Sequence, residues 1–235
     1  MSNNEIKRAK IYNLIADDSG YGHELYAQHG ISFLVDVETK EEQKRILFDT
    51  GQSAEPILFN MGKMGLDPQT IDIIFLSHCH YDHTGGLVGM LKAINSNNIT
   101  IVAHSKIFRK CITLKPSMKN KGITEENSKK KIRKEGGELL LLDSPSRLMH
   151  GVMSTGEVKT RYGFEDTGID QYTIENGSLI KDNAPDDMSL VLQLSDGIVV
   201  ISGCSHAGIS GIIRKSMKIT DESNVKAVLG GFHLL

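Results

Sequence analysis

Short apolar runs separated by polar turns set the pattern of this chain. Residues 10–16, 31–37 and 45–48 are apolar or alternate apolar with polar, and the turns between them are rich in Gly or in Glu and Lys. They predict the opening strands of a sheet. Ser53 predicts the start of a helix that runs to about Met64 and stops at Gly65, and Asp67-Pro68 repeats the start signal just before the apolar run 71–76. Another helix begins at Gly86, and residues 99–103 predict the next strand. Strand, helix and strand in that order, with polar residues at the carboxyl end of the strand, predict α/β organisation. Further on, 138–142 predicts a strand after Gly136-Gly137, and 150–157 follows a turn at Pro145. Residues 190–194 and 197–201 predict a hairpin turned at Ser195-Asp196, and the apolar run 227–229 closes the series.

The run 71–76 delivers the stretch Ser77-His78-Cys79-His80-Tyr81-Asp82-His83-Thr84-Gly85-Gly86, with three imidazoles and a carboxylate within six residues. These are good ligands for a first-row divalent ion. His78, His80 and Asp82 are each two residues apart, so a short irregular loop can turn them to one side, while adjacent Asp82 and His83 can diverge toward a second ion. The spacing therefore predicts two ions close together. A metal-free surface cluster is the competing reading, and the setting between an apolar strand and an apolar helix argues against it.

Together with Asp49-Thr50-Gly51, Ser202-Gly203-Cys204-Ser205-His206 and Gly230-Gly231-Phe232-His233, this stretch resembles the signature of the metallo-β-lactamase-fold superfamily. The wider set is similar to its branch of dihydropterin ribofuranosylaminobenzene phosphate synthase-like hydrolases, and the superfamily match runs across nearly the whole chain. The resemblance implies an α/β, four-layer αββα sandwich with a metal site at one edge of its two sheets. It implies one domain over 1–235, carrying an insertion or cap at about 105–137. His78, His80, Asp82, His83 and His233 would then be metal ligands, and Asp49 would orient one of them by accepting its second ring N–H.

Two departures from the superfamily pattern change the expected site. Most members have Gly-Asp where this chain has Gly203-Cys204, so Cys204 is expected to supply a thiolate in place of a bridging carboxylate. His206 is then a neighbouring ligand or a proton-transfer group, and Asp82 and His206 are the expected catalytic residues. The His that usually completes the first ion has no counterpart in the turn 182–189, which leaves Asp186, Asp187, His150 or no residue at all. His23, in the polar loop 17–24, could reach the metals, although a solvated side chain is the better expectation there. Zinc is the expected ion, and Mn²⁺ or Fe²⁺ also suits these ligands. The chain ends two residues after His233, shorter than the branch leads one to expect.

Composition adds limits. A hydrophobic content of 39% and a charged content of 24% are those of an ordinary soluble globule, and a net charge of -2 gives no global attraction to nucleic acid or to an acidic membrane. Locally the balance differs: residues 105–134 hold nine Lys and two Arg against Glu125 and Glu126, a surplus of +9. This segment would draw an anionic, phosphorylated small molecule toward the metals, or it is a solvated helical face at 128–134. Phe108 is the one aromatic in it, which argues against nucleic acid. No apolar run is long enough to cross a membrane, and the first residues lack signal-peptide order, so a cytoplasmic protein with no membrane partner is expected. Cys79, Cys111 and Cys204 form no CxxC pair and are expected to be free thiols. The oligomeric state is set by no feature of the sequence. The expected function is a metal-dependent hydrolase that uses a metal-bound hydroxide on a phosphorylated or ester-containing small molecule. The branch implies an alternative, a synthase joining a pterin alcohol diphosphate to a ribosylated aminobenzene phosphate. A non-catalytic metal sensor is the third reading.

Overall fold

The computed structural model describes residues 6–162, 165 and 170–234. Its first sheet opens with an antiparallel trio, β1 (Arg8–Ile15), β2 (Ser32–Glu38) and β3 (Gln43–Phe48). It continues in parallel through β4 (Ile73–Phe75), β5 (Ile99–Ala103) and, beyond the short strands β6 (Ile112–Thr113) and β7 (Lys119–Asn120), β8 (Gly137–Leu141). The helices α1 (Ala54–Lys63), α3 (Leu87–Ile94) and α4 (Lys129–Lys134) form the crossovers between these parallel strands, while the one-turn helix α2 (Tyr81–Thr84) lies in the loop after β4. A second sheet holds β9 (Ser146–Met149), β10 (Val152–Ser154), β13 (Leu190–Leu194), β14 (Gly197–Ile201) and β15 (Val225–Leu229), with α5 (Ile209–Thr220) between the last two. Two remaining strands, β11 (Gln171–Glu175) and β12 (Ser178–Lys181), join β6 and β7 in a small third sheet of order β12-β11-β6-β7.

Alternation along the strands builds the layers. In β3, Leu47 packs outward under α1 and α3 with Ile57, Met61 and Leu91, while Ile46 and Phe48 face the second sheet. Ile74 and Phe75 divide in the same way, and the rings of Phe48 and Phe75 stack at 5.4 Å between the sheets. In β13, Leu190 and Leu192 face inward, and Val191 faces outward to join Ile198, Val200 and Ile212 of α5. The order is therefore helix, sheet, sheet, helix, the expected αββα sandwich. Period-2 burial on both faces of a sheet demands this arrangement, since each apolar face must be covered.

The hairpin 190–194/197–201 and the strand 99–103 have the extents expected from sequence, with Leu194 paired to Gly197 across the turn. Ser53 occupies the N-cap position of α1, although its side chain makes no capping bond; Asp67 does cap its short helix, accepting from Gln69 N at 2.9 Å. The basic segment behaves differently from a separate insertion. Its strands β6 and β7 pair with each other, and β6 pairs on its other edge with the remote strand β11, so two distant parts of the chain make one cap sheet. On α4, Ile132 is buried while Lys129, Lys130, Arg133 and Lys134 face solvent, as the solvated-face reading expects. Among the described residues no helix is long and apolar enough to cross a membrane.

Candidate metal centre

Strand direction brings the chemistry to one edge. The parallel strands β3 and β4 end at Asp49 and at the 77–83 loop, and β14 and β15, parallel in the second sheet, end at 202–206 and 230–233. Carboxyl ends of parallel strands lie together, so segments remote in sequence meet there. Close approach is paid for by glycine: a Cβ on Gly203 would stand 2.2 Å from Ser77 Oγ, and one on Gly30 would stand 1.8 Å from Asp82 O. Asp49, Ser205 and His233 all hold left-handed backbone, at φ of 56°, 58° and 40°, an uncommon conformation that clusters at functional sites.

Three sets of potential ligands have their donor atoms mutually within 4.8 Å: His78, His80 and His206; His78, His83 and Cys204; and Cys204, His206 and His233. His78 Nε2 and His206 Nε2 lie 3.0 and 3.1 Å from His80 Nδ1, and His83 Nε2 lies 3.0 Å from Cys204 Sγ. The far ring nitrogens of His78, His80 and His83 are held, whereas the buried Nδ1 of His206 has no hydrogen-bond partner. Asp49, fully buried, accepts from Ser77 N, from Ser77 Oγ and from His83 Nδ1, the last at 2.6 Å. Because Ser77 Oγ donates to Asp49, it must accept from His78 Nδ1 at 2.8 Å. On His80 the far nitrogen, Nε2, donates to Gln171 Oε1 at 2.7 Å.

These assignments leave the inward nitrogens of His78, His80 and His83 without protons, and bare lone pairs about 3 Å apart repel unless a cation lies among them. The residues present therefore fit a divalent ion. Burial, with neighbouring imidazoles, pushes His78 and His206 well below the ordinary histidine value, so both imidazoles are neutral at pH 7 and able to serve as ligands. Burial would also lower His83, but the Cys204 sulfur and Asp49 outweigh it and raise it well above that value. Burial likewise opposes His80, which Cys111 and Asp82 raise. In both cases the centre takes up positive charge, as a proton or as a metal ion.

The position of the other expected residues sharpens the picture. Asp82 lies outside the three sets; its Oδ2 is 3.3 Å from His83 Nε2 and 3.6 Å from His29 Nε2. Burial would raise its carboxyl, and His83, when its Nε2 carries a proton as well, donates to it and holds it below the carboxylate range instead. The third imidazole beside His78 and His80 is His206, from the loop after β14, and not a residue of the turn 182–189. Asp186 is engaged elsewhere: it accepts from Cys79 N at 2.8 Å and pairs with Arg109. Asp187 accepts from Ala207 N at 2.7 Å, and burial pushes its carboxyl up to about 7. Both brace the loops that carry His80 and His206. His150 is far from the site, 3.5 Å from Glu41 in the β2–β3 turn, which is the end of the sheet opposite Asp49. His23 is exposed, and the imidazole of that loop nearest Asp82 is His29.

Sequence reasoning passed over Gln171, Cys111, Arg109 and His29. Cys111 Sγ lies 3.2 Å from His80 Nε2 and 2.8 Å from Gln171 Oε1. Cys79, His80 and Cys111 also have donor atoms within 4.8 Å of one another. A separate ion there would compete for His80, which has one bare nitrogen, and would face the Arg109 guanidinium 2.9 Å from Cys79 Sγ. The hydrogen-bond pattern favours the set with His78 and His206.

The fold and this edge define a class. Residues 29–170 match the family model of the metallo-beta-lactamase superfamily, and the chain belongs to that superfamily. Among curated proteins it is 42% identical, over 100% of its own length and 81% of the relative's, to the 7,8-dihydropterin-6-methyl-4-(beta-D-ribofuranosyl)-aminobenzene-5'-phosphate synthase of Methanocaldococcus jannaschii. It is also 31% identical, over 94% of its length and 78% of the relative's, to an uncharacterized protein of the same organism. Among solved structures, Tm1679, described as a metal-dependent hydrolase of the β-lactamase superfamily, superposes with a TM-score of 0.74 at 27% identity, covering 97% of this chain and 78% of that one. A quorum-quenching N-acyl homoserine lactone lactonase shares the fold, with a TM-score of 0.52 at 16% identity over 98% of this chain and 94% of that one.

Proposed function

We propose that this chain is a metal-dependent transferase that joins the 6-methylene carbon of a dihydropterin to the amine of a ribofuranosyl-aminobenzene 5'-phosphate. The observation that carries the reading is the 42% identity to the Methanocaldococcus jannaschii synthase across the full length of this chain. In the reaction the arylamine nitrogen forms a bond to the methylene carbon, the carbon–oxygen bond to a diphosphate leaving group breaks, and the amine gives up a proton.

His78, His80 and His206 would hold one divalent ion, and Cys204, which is grouped with His83 on one side and with His233 on the other, would anchor a second; zinc suits this nitrogen and sulfur set. Bound there, the ions supply Lewis acidity toward the phosphate oxygens of the leaving group. The chain's own residues do the rest. Asp82, ionised beside His83 and 3.6 Å from His29 of the 17–31 loop, would take the amine proton. Lys121 Nζ lies 4.9 Å over the ring of Tyr81 in the 77–83 loop, a cation close to the centre that would attract a phosphate-bearing substrate. Arg109 is not such a cation, because Asp182 and Asp186 neutralise it.

A second reading, a hydrolase of phosphorylated or ester-containing small molecules, is supported by the likeness to Tm1679. One assay separates the two. Metal-loaded protein is given dihydropterin-methyl diphosphate with and without the ribosylated aminobenzene phosphate, and products are identified by mass. A coupled product that requires the arylamine supports the transferase; release of pterin alcohol at the same rate in both mixtures would replace it with the hydrolase.

A further inference from the structure

We infer that Gln171, delivered by the cap sheet, is the positioning residue that holds His80 in its metal-binding orientation, so that affinity for one ion depends on how the cap is seated. The inference rests on the reading that His78, His80 and His206 hold that ion. Its physical basis is the sharing of one imidazole between two parts of the molecule. His80 Nδ1 faces His78 and His206 at 3.0 and 3.1 Å, and its Nε2 faces Gln171 Oε1 at 2.7 Å. An imidazole can offer a bare Nδ1 to a metal only when its proton is on Nε2, and an amide oxygen at Nε2 selects that tautomer. Were the amide turned to present its NH₂, the His80 proton would move to Nδ1 and point into the cluster, which excludes a cation.

Gln171 is the first residue of β11 and pairs in register with Thr113 of β6, one residue before which Tyr172 pairs with Ile112. The residue preceding β6 is Cys111, whose Sγ meets both Gln171 Oε1 and His80 Nε2. The cap root is tied to the metal-bearing loop at two further points: Tyr81 N donates to Lys121 O at 2.8 Å, and Arg109 bridges Asp182 of the cap to Asp186 behind Cys79. Asp182 N in turn donates to the backbone oxygen of Gln171 at 2.8 Å. Seating of the cap therefore sets the position of the Gln171 amide, and through it the ring of His80.

The test is chelator competition on full-length protein loaded with Zn²⁺ or Co²⁺, comparing wild type with Gln171→Leu, Gln171→Asn and Gln171→Glu. Loss of such an outer partner typically weakens binding about 10–100-fold. Gln171→Leu, which keeps the volume without the acceptor, is expected to weaken one ion by that factor while the other ion and the circular dichroism spectrum stay as in wild type. Gln171→Asn, too short to reach Nε2, is expected to do the same, and Gln171→Glu, which keeps the acceptor, is expected to retain the affinity. The Co²⁺ absorption bands should shift in the first two variants. Wild-type affinity for both ions in Gln171→Leu and Gln171→Asn would overturn the inference alone. A wild type that binds no ion would overturn it together with the metal reading.

Discussion

Asp49 shows how much of this site depends on a residue that faces away from its centre. Its two oxygens collect the Ser77 backbone N–H, the Ser77 hydroxyl and the His83 ring, and so orient ligand candidates on both sides of the 77–83 loop. Asp49→Asn keeps the size and tolerates the left-handed backbone, since Asn adopts it readily, but it removes the charge that holds the His83 proton on Nδ1. Metal affinity is expected to fall about 10–100-fold with the fold intact, read by chelator competition beside circular dichroism. Asp187 gives a second prediction, for metal-free protein. Burial raises its folded value to about 7 from an ordinary 3.8, so its protonated form is the one the fold favours. That contribution is complete below pH 4 and is lost as pH rises through 7, with an upper bound of about 4 kcal/mol. Urea unfolding of metal-free wild type and Asp187→Asn at pH 5 and pH 8 should show wild type losing stability relative to the variant at the higher pH. Equal differences at the two pH values would contradict this.

At the scale of elements, the strands that deliver the site are also the ones most deeply packed. Phe48 in β3 is fully buried and stacks on Phe75 in β4, one residue before Asp49 and two before Ser77 respectively. Phe48→Ala should cost about 3–5 kcal/mol by urea unfolding, the range for a large buried ring. A cost below about 1 kcal/mol would mean that the sheets close over the gap. These elements were legible in sequence because their apolar alternation is local: 46–48, 73–75, 99–103 and 190–201 could each be read without knowing their partners. The 77–83 cluster was legible for the same reason, its ligands lying within six residues. Other parts were not. Gln171 meets His80 across 91 positions, and its strand pairs with the two-residue strand β6, which is too short to show alternation. The partner of His78 and His80 was sought before β13, where relatives of the superfamily usually carry it. Nothing in the spacing of Cys204 and His206 tells which of them turns toward which imidazoles, because that is decided by the left-handed turn at Ser205.

For the whole molecule, an ion at this edge would act as a clasp. His78, His80 and His83 come from the first sheet, and Cys204, His206 and His233 from the second, so an ion bound between them ties the two halves of the sandwich. An ion at a free concentration 100 times its dissociation constant stabilises the folded state by about 2.7 kcal/mol, because the unfolded chain does not hold these ligands together. Stripping with chelator should therefore lower the thermal midpoint, and readdition of Zn²⁺ should restore it. The most direct test of the centre itself is metal content per chain, by elemental analysis of protein purified without added metal, for wild type, His206→Ala and His150→Ala. About two ions in wild type and in His150→Ala, falling to about one in His206→Ala, is the expected result. No ion in wild type, or a His206→Ala variant as full as wild type, would contradict the assignment of this edge as a metal centre.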